Sequence, residues 1–513
     1  MIKRKNHNRQ GMILSSLVVM TGIIMMIPFL YVFIRAFEAE PSRWKLLWDG
    51  KIPFLLEKTF SLTIVVTFLA ICIGVSLAFL VFRTNLPMRR FFNVAVSLPI
   101  VIPPYVGAMA YITLIGPGGL FENDALTIYS FWGTVFVLTG FTYPYVYFIV
   151  SALLKKMNRS LEEVGIIAGL TKKQVFLKIT LPLLLPAISA GGLLVALYVI
   201  SDFGAVAMLR YPTFAQAIYF QMGSFDRYSA AILSVILIVA TFILLGLQVA
   251  VKRKMRFYQV GKGRKEGGRI SLGKGKWIAF SFTSIIFLLY TVAPIMTLIY
   301  WTFTAIQKGK VDVLFSHYAW NSFSVSFIAM LLCILLAFPL VYVKSRYPNK
   351  MGKVVNAISY TGYALPGVIV ALGVIFVFIQ YIPLLYGTLI PLVVAYIIRF
   401  LPQSIQTLDA SISQLPPTID EAAQLLGRTP FQTMMGVVFK NMIPGLLAGG
   451  ALVFVSVMKE LPATLLLRPA GFDTLAVRVW IETSEGFYDV AAPSALVIIL
   501  VAALPLKYML EKE

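Results

Sequence analysis

The sequence predicts an all-α polytopic membrane protein with about twelve transmembrane helices, arranged as two parallel six-helix modules. The first observation is composition: the 513 residues are 59% hydrophobic and only 13% charged, with a mean hydropathy of +0.85. A soluble domain cannot bury that much apolar surface. The second observation is that a segment of roughly sixty residues recurs at a constant offset, which indicates a duplicated module.

Twelve stretches of the chain meet the requirement of a membrane-spanning helix, about 20 mostly apolar residues. In the first half they lie near 12–35, 60–82, 92–115, 130–153, 184–205 and 229–251. In the second half they lie near 277–304, 321–343, 355–379, 381–401, 445–466 and 489–509. The first stretch is too long for the core of a secretory signal, so it is expected to remain as an uncleaved span.

Lysine and arginine residues are unevenly divided between the segments that join these stretches. They are concentrated at the N-terminus and in four later segments, 83–90, 155–178, 252–276 and 344–353. Because positive residues stay on the cytoplasmic side, both termini and the repeated motifs are expected in the cytoplasm. The basic segment 252–276 is predicted to be a linker between a first module at 1–251 and a second module at 277–513.

The same charge distribution argues against other classes of protein. The net charge of +22 is explained by membrane orientation, and no basic face with groove or stacking chemistry points to a nucleic-acid partner.

Cys72 and Cys333 lie inside apolar stretches and predict buried thiols rather than a disulfide framework. His7 and His317 are too sparse for a zinc or haem site. We expect no fixed metal and no cofactor on this chain.

The recurring segment carries a short charged motif. Its anchor positions recur 258 residues later, as Glu163 and Glu421, Gly169 and Gly427, and Pro186 and Pro444. Each copy predicts a helix with acids near its start, a left-handed turn at the glycine and a second short helix. Thr418 or Asp420 is expected to cap the second copy. A purely structural loop is the alternative, and the second copy in register disfavours it.

Other similarities between the halves support the duplication. The stretch that ends at Arg83 resembles the one that ends at Lys344, which matches these two basic residues. The glycine pair 191–192 in the fifth span recurs as 449–450 in the eleventh. These pairs are expected to permit close helix packing.

The charged motif resembles the EAA loop of binding-protein-dependent ABC importer permeases, whose consensus is Glu-Ala-Ala, then Gly, then Leu-Pro. The second copy contains Glu421-Ala-Ala and Gly427 in full, whereas the first copy has Val164 and Gly165 where alanines are usual. The resemblance implies an ATPase-coupling role for six residues, Glu163, Gly169, Glu421, Ala422, Ala423 and Gly427. The departures from the consensus imply that the two docking sites are not equivalent.

The resemblance also implies partners and a location. Two copies of a separate ABC ATPase, which carry ATP and Mg, would dock at the cytoplasmic face of a multi-pass protein of the cell membrane. An extracytoplasmic binding protein would deliver the substrate. This chain would then be a pore subunit without catalytic residues. Its own phosphate-loop-like stretch from Gly268 ends in Gly275, where Ser or Thr must reach magnesium.

A second set of candidate residues lies at the ends of the fifth and eleventh predicted spans. Four residues are singled out for the translocation pathway: Ser201, Asp202, Lys459 and Glu460. Ionisable residues in apolar spans usually face a cavity, which favours a polar lining or gate. The alternative is an interfacial cap in which Lys459 neutralises Glu460, and the sequence leaves both interpretations open.

The residues around these positions narrow the resemblance. The stretches from Ser201 to Phe214 and from Met458 to Pro469 resemble those of fused ferric-iron permeases. The substrate implied is ferric iron, bare or chelated, while related permeases for thiamine, polyamines, sulfate or phosphonate remain alternatives. A secondary transporter driven by an ion gradient is the rival from another class, and a receptor or scaffold would leave the paired motifs without a purpose.

Overall fold

The computed structural model describes residues 2–121, 127–157, 160–254, 270–346, 352, 354–355 and 365–511. Within these ranges the regular secondary structure is helical, apart from one isolated parallel bridge between Thr84 and Ile270. The predicted all-α class is therefore confirmed.

The first half is built from long helices, a bent pair and several short helices at the ends of the long ones. Its helices are α1 (Ile2–Glu38), α2 (Pro41–Gly50), α3 (Ile52–Arg83), α4 (Arg89–Ala95), α5 (Pro104–Ile115), α6 (Phe131–Lys156), α7 (Ser160–Ile167), α8 (Lys172–Val175), α9 (Leu181–Ser201), α10 (Gly204–Met208), α11 (Phe214–Gly223) and α12 (Arg227–Lys254).

The second half repeats this order from α3 onward. Its helices are α13 (Lys276–Phe287), α14 (Ala293–Gln307), α15 (Phe315–Arg346), α16 (Gly367–Tyr381), α17 (Leu389–Ile412), α18 (Thr418–Leu425), α19 (Pro430–Thr433), α20 (Phe439–Met458), α21 (Pro462–Leu467), α22 (Leu475–Ser484) and α23 (Tyr488–Glu511). Helices α3 and α15 each have 32 residues, and α7 and α18 each have 8. The duplication in sequence is therefore also a duplication in structure.

Nine helices in the described part of the chain are long and apolar enough to cross a membrane, and ten if one bent pair counts as a single span. That pair, Arg89–Val101 and Pro104–Ile115, bends by 96°, because consecutive prolines at 103 and 104 interrupt the helix. Shorter apolar helices, Gly367–Tyr381 and Tyr488–Leu504, occupy the ninth and twelfth predicted positions. The chain is a multi-pass membrane protein whose predicted third span is broken.

Within each half, three long helices pack on one another: α3 with α6 and α9, and α15 with α17 and α20. Glycines permit the close approach. A Cβ at Gly191 would lie 2.9 Å from the Cα of Val146, and one at Gly450 would lie 2.6 Å from Cδ1 of Ile334. The close helix packing predicted for the glycine pairs of the fifth and eleventh spans is confirmed.

The two cysteines differ in their surroundings. Cys333 is buried in α15, as predicted, whereas Cys72 is exposed on the surface of α3. An exposed small residue on a long apolar helix is the normal case where that helix faces lipid. Both thiols are free.

The two halves interlock through their first helices, since α1 packs on α16 and α14 packs on α5. Near the end of α3, Phe92 and Phe280 meet edge to face at 5.5 Å, and the Ile270 N–H donates to the Arg83 carbonyl at 3.0 Å. Helices α13 and α14 lead away from this end, and α15 returns to it at Arg346. Both repeated motifs therefore lie at one end of the bundle, as parallel modules require.

The module boundaries stay a prediction. Helix α12 continues to Lys254, three residues into the predicted linker 252–276, and α13 begins at Lys276. Residues 255–269 lie outside the described ranges. The first described contacts beyond them tie the end of the linker to the first half, because the Leu272 N–H donates to Oδ1 of Asn85 at 2.9 Å.

Candidate functional site

Each copy of the repeated motif folds as two helices joined at a left-handed glycine, as predicted. We call residues 160–175 the first motif loop and 418–433 the second motif loop. The glycines at 169 and 427 have φ of +84° and +86°, a conformation that costs glycine little. The Leu170 N–H donates to the Gly165 carbonyl at 3.0 Å, and the Arg428 N–H donates to the Ala423 carbonyl at 3.2 Å. These are matching Schellman caps that fix the turn in both copies.

The second helix of each loop begins with a capping box. In the second copy, the Thr429 hydroxyl accepts from the Gln432 N–H, and the Gln432 side chain accepts from the Thr429 N–H. Thr171 and Gln174 make the same exchange in the first copy. The Thr-x-x-Gln pattern recurs at an offset of 258 residues and is typical of a capping box. The sequence analysis did not identify it.

A five-residue π-helical segment follows each capping box, at Phe176–Thr180 and Met434–Val438. These segments lead without a break into α9 and α20. The second short helix of each motif is thus the start of a long span, and no coil separates the two. Such π-helical insertions occur frequently at functional sites.

The tips of both loops expose apolar side chains beside an acid. Glu163 and Glu421 are exposed. Ile167 is 85% exposed, and Leu425 and Leu426 are 88% and 86% exposed. An apolar surface rimmed by polar groups is typical of a protein–protein contact. Both acids lie in the first turn of their helices, where the positive end of the helix dipole stabilises a negative charge.

One residue with a predicted ATPase-coupling role is buried and not exposed. Ala423 is buried at 7% exposure, so it packs beneath the second motif loop and does not contribute to the exposed surface. At the equivalent position in the first copy, a Cβ on Gly165 would lie 2.5 Å from Cδ1 of Ile179. The departure from alanine in the first copy therefore reflects closer packing between its two helices.

The predicted caps of the second motif are also corrected. Pro417 occupies the N-cap position of α18 and makes no side-chain cap, and Thr418 is the first residue of the helix. Asp420 is buried and binds the guanidinium of Arg346. The counterpart in the first copy is Glu162, which lies 3.8 Å from Arg83.

The match of Arg83 with Lys344 that the sequence suggested is wrong. Arg83 and Arg346 are the last residues of the 32-residue helices α3 and α15, and each contacts the acid of its own motif loop. The two arginines are 263 residues apart, whereas equivalent residues of the motif are 258 apart. A sequence comparison at a constant offset of 258 therefore does not align Arg83 with Arg346.

The second set of candidates lies where the ends of α9 and α20 meet between the halves. Asp202 caps α10, because its Oδ1 accepts from the N–H groups of Ala205 and Val206 at 3.0 and 3.2 Å. Glu460 caps α21, because its Oε1 accepts from the Ala463 N–H at 3.1 Å. Both carboxylates are less than a tenth exposed. The geometry supports the capping interpretation for this conformation.

Glu460 is neutralised by a residue that the sequence analysis missed. Its Oε1 accepts from Nη1 of Arg399 at 2.8 Å, whereas Lys459 Nζ donates to the Ile100 carbonyl of the first half at 3.2 Å. The predicted Lys459–Glu460 pairing is therefore wrong. Arg399 lies within the tenth predicted span, and the rule that singled out Lys459 would have identified it too.

Cross-half contacts surround this charged group. A Cβ at Gly204 would lie 3.1 Å from Cδ2 of Leu461, and the rings of Phe203 and Trp480 are 5.0 Å apart. Ser201 donates to the Leu197 carbonyl within its own helix. Any rearrangement of one half against the other must change these contacts. In the ranges described, no three His, Cys, Asp or Glu side chains form a metal-ligand group.

Comparison with known proteins identifies the class. Residues 70–257 and 329–506 each match the family described as the binding-protein-dependent transport system inner membrane component. The chain belongs to this family of ABC importer permeases, and it contains the family's module twice. The resemblance inferred from the motif is thereby confirmed.

Relatives extend over nearly the whole chain. The Fe(3+)-transport system permease protein FbpB 2 of Haemophilus influenzae is 35% identical over 97% of this chain and 98% of its own length. The ferric transport system permease protein FbpB of Actinobacillus pleuropneumoniae is 23% identical over 95% of this chain and 76% of its own. The sulfate transport system permease protein CysW of Escherichia coli is 26% identical over 37% of this chain and 67% of its own.

Proposed function

We propose that this chain is the permease subunit of an ABC importer that moves ferric iron into the cytoplasm. The observation that carries this proposal is the full-length similarity to a ferric-iron permease, joined to two exposed motif loops at one end of the bundle. The similarity to a sulfate permease covers only a module-sized part of the chain, so iron is the better-supported substrate.

The energy source in this proposal is ATP hydrolysis on two copies of a separate ATPase. Each copy would bind one motif loop through its exposed acid and apolar tip, and ATP and Mg would be held there. Both termini and both loops would face the cytoplasm of a cell-membrane protein, consistent with the basic segments of the chain. A substrate-binding protein would deliver iron on the opposite face.

Transport in this proposal follows from the way each loop continues into a span. Closure of the ATPase pair would draw the two motif loops together. Each loop would then move α9 or α20 through the continuous helical connection. Since these two helices end at the cross-half contacts of Gly204 with Leu461, their movement would open or close the pathway between the halves.

The test is transport by the purified chain in proteoliposomes with its ATPase and binding protein. We expect uptake of radiolabelled ferric iron that needs ATP and the binding protein and persists when ion gradients are collapsed. Uptake of thiamine or a polyamine in place of iron would contradict the assigned substrate. Uptake that is independent of ATP and abolished by ionophores would contradict the importer class.

The coupling role of the loops is tested separately. Glu163→Arg and Glu421→Arg reverse an exposed charge on each loop and leave the buried Glu162 and Asp420 in place. We expect the double variant to fold but to lose the co-purifying ATPase and transport. Normal transport by that variant would contradict the docking role.

A further inference from the structure

We propose that Arg83 and Arg346 are positioning residues that lock each motif loop to the end of a long span. This inference rests on the proposed function, since it assigns the route by which force on a loop reaches α3 and α15. The acids that the arginines contact, Glu162 and Asp420, are buried. They are not the exposed Glu163 and Glu421 that are proposed to bind the ATPase.

The first lock is a buried cluster at the end of α3. Arg83 is 2% exposed, and its Nη2 lies 3.8 Å from Oε1 of Glu162 and donates to the Met157 carbonyl at 3.4 Å. Glu162 also accepts from the Thr180 hydroxyl at 2.8 Å. The Arg83–Glu162 pair therefore joins four segments: the end of α3 and the motif helix α7, which carry the pair, the end of α6 at the guanidinium, and the π-helical segment before α9 at the carboxylate.

The second lock uses the same groups with closer geometry. Arg346 donates from Nε and Nη2 to the two carboxylate oxygens of Asp420, each at 3.1 Å. Its Nη1 and Nη2 also donate to the Leu415 carbonyl, at 3.2 and 3.3 Å. The Tyr342 hydroxyl donates to Asp420 at 3.1 Å. The pair is buried, with side-chain exposures of 7% and 8%.

The recurrence of this arrangement argues for a shared purpose. Glu162 and Asp420 differ in type, as do Met157 and Leu415, and the arginine lies at another offset. Even so, a guanidinium binds the motif acid and the same backbone carbonyl in both halves. Burial of an ion pair is costly unless its groups are well paired, so a cluster retained in both copies is expected to contribute more than packing.

The two pairs differ in geometry. The Arg346–Asp420 pair is bidentate, with both contacts at 3.1 Å, whereas the Arg83–Glu162 pair has a separation of 3.8 Å. In both halves the buried guanidinium joins the motif acid to the end of a long span, so displacement of either loop would reach that span.

The experiment compares Arg346→Met and Arg83→Met in the complete transporter reconstituted with its ATPase. Three quantities are measured: ATPase co-purification, ATP hydrolysis, and iron transported per ATP. We expect the ATPase to stay bound and to hydrolyse ATP. Transport per ATP should fall about tenfold in both variants, because each removes the charged partner of a buried motif acid.

Lys344→Met is the matched control. Lys344 lies at the same end of α15 and pairs with Asp409 at 2.9 Å, away from the motif acid. Its removal deletes an ion pair of the same helix without touching the lock, so transport per ATP should match the unmodified protein. Asp420→Asn is a second test, which keeps the side-chain shape and decides the matter if Arg346→Met does not fold.

Two results would overturn the inference. The first is that Arg346→Met and Asp420→Asn transport as much iron per ATP as Lys344→Met does. Alternatively, folded lock variants could lose the ATPase, which would mean that the arginines shape the docking surface and do not transmit force. An unmodified chain that binds no ATPase would instead overturn the proposed function itself, and this inference with it.

Discussion

Gly367 holds open the space in which Arg399 and Glu460 pair between helices of the second half. A Cβ at Gly367 would overlap the guanidinium Nη1 of Arg399 and lie 2.7 Å from Oε1 of Glu460. The change Gly367→Ala introduces a single methyl group and removes no charge. Because Gly367 does not have a positive φ, alanine fits the backbone, and the effect comes from the lost space alone.

The magnitude follows from the 2.8 Å hydrogen bond that the methyl group would break. Removal of one partner of a buried ion pair costs about 3–5 kcal/mol. In Gly367→Ala both partners remain and the Arg399 side chain is 21% exposed, so the guanidinium can turn toward water. We therefore expect a smaller loss of about 1.5–3 kcal/mol, the range of a charged hydrogen bond.

The assay is denaturant or thermal unfolding of the purified protein in detergent, with transport measured in parallel. Gly246→Ala is the control, because a Cβ there meets nothing within 4 Å and alanine favours a helix by about 0.5–1 kcal/mol over glycine. The cost of Gly367→Ala should largely vanish in a Glu460→Gln background, where the pair is already lost. Unchanged stability, or full additivity with Glu460→Gln, would refute the reasoning.

Three further substitutions test other parts of the account. Gly140→Val should weaken the contact between halves, because even a Cβ there overlaps the Tyr290 ring; limited proteolysis that separates the halves no faster than in the unmodified chain would contradict it. Gly427→Ala should cost about 1 kcal/mol in the second motif loop, since its φ is +86°, and should weaken ATPase binding measured by titration; unaltered affinity would show that the turn is not required. Phe203→Ala should lower transport while ATPase binding persists, because its ring meets Trp480 across the halves; normal uptake would remove that contact from the pathway.

The architecture was readable from the sequence because it is repeated. The apolar stretches located the spans, and the 258-residue offset located both motif loops and their left-handed glycines. The break in the third span was less readable. It arises from two consecutive prolines inside a stretch whose hydropathy is continuous, and hydropathy carries no information about direction.

The contacts of the candidate sites were only partly predictable. Asp202 and Glu460 were found because they are rare charges in apolar surroundings, but their partners are backbone N–H groups and Arg399. A sequence records residue types, and the choice between a neighbouring lysine and a distant arginine depends on helix packing. The arginine locks were missed for a related reason, since Arg83 and Arg346 keep a different offset from the motif.

The most direct test of the central claim is chemical labelling of both motif loops. Cysteine is placed at position 163 or 421, after Cys72 and Cys333 are replaced, and a membrane-impermeant thiol reagent is applied to vesicles of known orientation. We expect both positions to react only from the cytoplasmic side and to become protected when the ATPase binds. Reaction from opposite sides, or equal reaction with and without the ATPase, would contradict the claim that both motif loops bind ATPase subunits on the same side of the membrane.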